Sequence, residues 1–259
     1  MPALDTMLRR DRALVGATLV VTALVAWLYL FRLSVSMPDT DMADMPGMAM
    51  LRDHAWSLVD VVLLFVMWAV MMIAMMVPAA APMVLTFAMV QRTRREQDRA
   101  AIPTVVFLLG YAAVWTAYAT AAALAQWRLH EAGLLSAAMA STSARLGGAL
   151  LLVAGIFQWT PLKQACLAKC RSPLSFVMTE WRDGRAGAFV MGMRHGAYCV
   201  ACCWALMALL FVAGVMNLLW VAGLAAFVLA ERVLPGGPAV SRIAGTLLLV
   251  AGVVILVRA

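Results

Sequence analysis

Charge is scarce in this sequence: Asp, Glu, Lys and Arg together make up 13% of 259 residues. Soluble domains carry about 25%, so an ordinary water-soluble fold is excluded. Long polar linkers are missing as well, and the chain reads as one transmembrane domain over residues 1–259. No Walker-type phosphate loop or phosphorylation-loop signature is present, which argues against ATP-driven pumping by this chain. Five cysteines do not make the framework of a disulfide-stapled secreted module. No long repeat or pair of inverted halves of the transporter kind is visible. No catalytic constellation stands out, so binding or transport is read ahead of enzymatic activity.

Apolar residues make up 65% of the chain, and its mean hydropathy is +0.92. Runs long enough to cross a bilayer recur throughout, which implies an all-α polytopic helix bundle embedded in lipid. Seven spans are expected: 13–35, 57–90, 102–126, 145–162, 188–212, 215–231 and 242–257. The first is too long for a signal-peptide core and is kept as an anchor. The second is longer than one crossing needs, and a break is expected near Pro78 and Pro82.

The net charge of +7 comes from basic residues gathered in alternate loops, so it does not point to nucleic acid. The N-terminus carries Arg9, Arg10 and Arg12, and the second-to-third loop Arg92, Arg94, Arg95 and Arg99. A basic loop at 163–187 holds Lys163, Lys169, Arg171, Arg182 and Arg185, and Arg232 and Arg242 flank the last turn. The opposite loops hold only Arg32, Arg52, Arg128, Arg145 and Arg258. The expected location is therefore the cell inner membrane, multi-pass, with a cytoplasmic N-terminus and an external segment at 36–56.

That external segment interleaves Met37, Met42, Met45, Met48 and Met50 with Asp39, Asp41, Asp44 and Asp53, and ends at His54. Thioethers suit Cu(I), and carboxylates concentrate cations. A flexible polar loop with incidental methionines is the weaker reading. In the second span, Met67, Met71 and Met75 recur every four residues, with Met72 and Met76 beside them. Such a stripe is most often core packing. Beside the other soft-ligand zones, a thioether ladder becomes an equal reading.

Cys166 and Cys170 lie one helical turn apart among Lys163, Lys169 and Arg171. Neighbouring cations favour thiolate, so the pair suits a two-thiolate Cu(I) site as well as two ordinary reduced cysteines. The densest chemistry lies in 191–207, where Cys199, Cys202 and Cys203 fall at about 40°, −20° and 80° from His195 on a helix. Soft thiolates with one imidazole suit Cu(I), with Zn(II) as the alternative. Cys202 and Cys203 are adjacent and are not expected to close a shell alone. A methionine of the second span is therefore expected to complete it, with the two helices in contact. Gly192 and Gly196 supply a small-residue edge for a neighbouring helix.

Several stretches together resemble the bacterial integral membrane family known as predicted metal-binding membrane proteins. They are Trp68–Pro78, Tyr111–Trp115, Pro161–Pro173, Gly192–Met207, Gly214–Asn217 and the pair Glu231-Arg232 before Pro235. The resemblance runs from about residue 57 to the end. It departs at Arg232, where the family pattern has lysine and the charge is kept. It implies metal binding. The leading reading is a Cu(I) conduit or metallochaperone whose partners are the bilayer, the metal ion and another membrane protein or copper carrier. The alternatives are a membrane thiol–disulfide oxidoreductase and an assembly subunit of a larger membrane complex.

Overall fold

The computed structural model describes residues 2–36, 58–95, 101–135 and 140–259. The expected external methionine–aspartate segment, with Met37 to His54, lies outside the described residues. The described chain is α-helical apart from turns and one isolated bridge between Leu135 and Ser141. Its helices are α1 (Pro2–Ser36), α2 (Leu58–Arg95), α3 (Ala101–Glu131), α4 (Ala144–Trp159), α5 (Pro161–Arg171), α6 (Pro173–Glu180), α7 (Gly184–Ala208), α8 (Leu210–Ala213), α9 (Leu218–Val233) and α10 (Gly237–Arg258).

The all-α membrane bundle agrees with the sequence, with fewer than seven qualifying spans among the described residues. Among the described residues, five segments are long and apolar enough to cross a bilayer: Ala13–Val35, Leu58–Thr93, Ile102–Glu131, Gly184–Ala213 and Gly237–Arg258. A sixth is a broken pair, α4 and α5, bent by 67°. The chain turns there because Pro161 cannot continue α4. Thr160 caps the new helix instead, its hydroxyl accepting from the Lys163 N–H at 3.2 Å. α9 has 16 residues, short of the roughly 20 a span requires. It starts on Asn217, whose side chain accepts from the Trp220 N–H at 3.1 Å.

Pro78 and Pro82 do not break α2, contrary to the sequence-based expectation. Proline at 78 deprives the Ala74 carbonyl of its helical partner, and Trp27 Nε1 of α1 donates to that carbonyl at 3.2 Å. The stretch expected as a basic loop is mostly helical, forming α5 and α6 before Asp183 introduces α7.

The core is a layer of closely approached helices. α7 packs chiefly against α3 and α5, while α2 packs against α1 and α3, and α4 against α10. The α3–α7 seam depends on missing side chains. A Cβ at Gly192 would run into the Phe107 carbonyl, and one at Gly110 into the Phe189 carbonyl. The Gly192–Gly196 edge thus admits α3, as small residues do between membrane helices. Within α2, Met67, Met71, Met72, Met75, Met76 and Met83 are buried, whereas Met89 is exposed.

Candidate metal centre

α7 carries the imidazole and three of the thiols. Its spacing puts His195, Cys199, Cys202 and Cys203 on the buried side, each no more than 2% exposed. α5 brings Cys166 and Cys170 against the same helix, both buried. All five cysteines are free thiols.

The three α7 sulfurs converge on one point despite the adjacency of Cys202 and Cys203. Arg232 Nη2, from the end of α9, lies 2.9 Å from Cys199 Sγ, 3.7 Å from Cys202 Sγ and 3.9 Å from Cys203 Sγ. Convergence is possible because both later thiols fold back one turn along the helix. Cys202 and Cys203 donate to the Cys199 carbonyl at 3.1 and 2.8 Å. From α5, the Cys170 side chain stands beside Cys202. From α3, the Tyr111 hydroxyl lies 3.1 Å from Cys199 Sγ and 3.3 Å from the Met76 carbonyl oxygen of α2.

His195 sits one turn before Cys199 in an aromatic enclosure. Its ring stacks on Phe107 and Tyr111 at centroid distances of 6.2 and 5.6 Å, and Phe176 meets it edge-on at 5.5 Å. Neither ring nitrogen has a hydrogen-bond partner among the described residues. A buried, unpartnered imidazole is costly unless something binds it.

A second buried polar group fixes the backbone that carries Arg232. Lys163 Nζ reaches both carboxylate oxygens of Glu231 at 2.9 Å, and Ser241 Oγ donates to one of them at 2.5 Å. Lys163 is wholly buried and Glu231 2% exposed. Arg171 donates to the carbonyls of Glu231, Leu234 and Pro235, tying off the C-terminal end of α9. By sequence alone, Lys163, Arg171 and Arg232 count as loop charges that set orientation. Lys163 and Arg232 are core residues instead, because Glu231 and the thiols give each a partner there. The signal for this in the sequence is Glu231-Arg232 itself, a charged pair closing an apolar run and adjoining Pro235.

The methionine helix and the cysteine helix are linked through α3. α2 and α7 both pack on α3, and Tyr111 bridges the Met76 backbone to Cys199. Met67, Met71 and Met75 are buried on α2.

Donor chemistry at the cluster fits a soft cation: sulfurs converge on one point and a partnerless imidazole lies a turn away. Among the described residues no three His, Cys, Asp or Glu side chains already stand as a closed metal-holding group. The point of convergence belongs to a guanidinium nitrogen.

A family model described as "PpoB2: Copper chaperone" matches residues 65–255. No curated protein and no solved structure matches the chain.

Proposed function

The chain belongs to the PpoB2 copper chaperone family, and on that premise we propose that it receives Cu(I) as cargo on the α7 thiols and hands it on within the membrane. The observation that carries this reading is the meeting of Cys199, Cys202 and Cys203 within 3.9 Å of a single atom. Two or three thiolates suit Cu(I), which favours soft ligands at low coordination number. His195 adds a nitrogen donor one turn away.

Transfer between soft ligands proceeds by exchange, one sulfur joining as another leaves. Cys170 touches Cys202, and Cys166 lies one turn earlier on the same helix. These two offer the cargo a path along α5. On the other side of Tyr111, the buried thioethers of Met67, Met71 and Met75 form a second soft path. The recipient in this reading is another membrane protein or a copper carrier. Zinc is accommodated by the same donors but gains less from an all-thiol pair.

Bound copper per molecule, measured on full-length protein in lipid nanodiscs, tests the reading. Wild type should retain Cu(I) against dialysis, and Cys199→Ser, Cys202→Ser and His195→Ala should each retain less. Equal stoichiometry in all three variants would remove the site.

A second reading, disulfide exchange between α5 and α7, draws on the proximity of Cys170 to Cys202. Thiol trapping separates the two. A copper site protects the thiols until a chelator is added, whereas an exchange couple alkylates according to redox poise.

A further inference from the structure

Arg232 is held in an unusual way for a buried cation. Its residue is 6% exposed, yet Nε and Nη1 have no hydrogen-bond partner among the described residues. The guanidinium is gripped through Nη2 alone, and only by sulfur. The backbone beneath it is the reverse. Glu231 is clamped by Lys163 and Ser241, and Arg171 binds three carbonyls between residues 231 and 235. A fixed main chain thus presents a loosely tied side chain to the thiols.

Resting on the copper reading above, we propose that the Arg232 guanidinium occupies the cargo position of the metal-free protein and that Cu(I) displaces it on loading. Both cannot sit there together. Metal–thiolate bonds are about 2.3 Å for zinc, so a soft ion shared by these sulfurs lies inside the space that Nη2 borders. The exchange is also balanced in charge. Guanidinium and Cu(I) are both monocations, so one replaces the other in charge, and each S–H that binds the metal, Cys202 or Cys203, gives up its proton as it does so. Bare thiolates in an apolar interior are expensive, and the resident arginine spares the empty protein that cost. The neighbouring carboxylate does not compete for Arg232, since Lys163 and Ser241 already satisfy it. Arg232 is thereby a positioning residue that sets how tightly the cargo is held, keeping the affinity low enough for release.

Competition with a chromogenic Cu(I) chelator, on full-length protein in nanodiscs, tests the displacement. Arg232→Ala should bind Cu(I) about tenfold tighter than wild type, within the usual range of coupling between two competing occupants. Millimolar methylguanidinium should refill the vacated position in Arg232→Ala and restore the weaker wild-type affinity. It should leave the wild type unchanged. Arg232→Lys keeps a cation and should stay near wild type. Should Arg232→Ala fail to fold, Arg232→Gln is measured in its place and should also bind tighter. Cys199-dependent binding that is equal or weaker without Arg232, or a lack of methylguanidinium effect on Arg232→Ala, overturns the displacement while leaving the copper reading intact. Absence of Cys199-dependent copper binding in the wild type overturns both.

Discussion

The Tyr111 hydroxyl stands 3.1 Å from the Cys199 sulfur, and the same oxygen reaches the Met76 carbonyl of α2. One α3 side chain therefore links the helix of thioethers to the helix of thiols. Tyr111→Phe removes both hydrogen bonds and keeps the ring against His195. It should cost about 1–2 kcal/mol of stability, read as a lower unfolding midpoint in detergent. Copper stoichiometry should persist, because no proposed ligand is lost.

Cu(I) bound to folded protein but not to the unfolded chain raises stability by mass action. At a free metal concentration a hundredfold above the dissociation constant, the gain is about 2.7 kcal/mol. A thermal-shift measurement in buffered Cu(I) should show this rise in wild type and a much smaller one in Cys199→Ser. An equal rise in both would place the copper elsewhere.

Lys163 and Glu231 form a buried pair whose partners are hard to remove singly. Lys163→Met leaves a carboxylate supported only by Ser241 and should destabilise by about 3–5 kcal/mol. The double variant Lys163→Met with Glu231→Leu should recover most of that loss. Unfolding midpoints for the two singles and the double close the cycle. Additive losses would show that the pair is not coupled.

Gly192 and Gly223 give a matched comparison. A methyl group at 192 meets the Phe107 backbone, whereas one at 223 meets open space. Gly192→Ala should destabilise by about 1–3 kcal/mol through forced separation of α3 and α7. Gly223→Ala should be neutral, or stabilising by up to about 1 kcal/mol from helix propensity. Parallel unfolding curves check both.

How far these features can be read from the sequence turns on partners supplied by distant residues. Apolar runs announce membrane helices because lipid allows little else, and the small-residue edge at Gly192 and Gly196 is visible in its spacing. The prolines are not equivalent, although the chain alone treats them so. Pro78 stays within α2, where Trp27 takes up the Ala74 carbonyl, whereas Pro161 ends α4 and Thr160 caps α5. Arg232 and Lys163 look like loop charges in the sequence because a long basic side chain at the edge of an apolar run usually snorkels. Only the thiols of α7 and the carboxylate of Glu231 turn them inward. The cysteine face is legible by angle, but the cation it meets comes from α9, a long-range neighbour that periodicity cannot supply.

The distance along the chain between Cys199 and Arg232 also sets an order in time. At roughly 5–20 residues per second, the ribosome delivers the thiols a few seconds before the guanidinium that meets them. During that interval a nascent chain carries its soft ligands with no resident counter-ion, and α9 must dock on α5 before they gain one. On the displacement proposal, the newborn protein is therefore most open to stray metal just before α9 arrives.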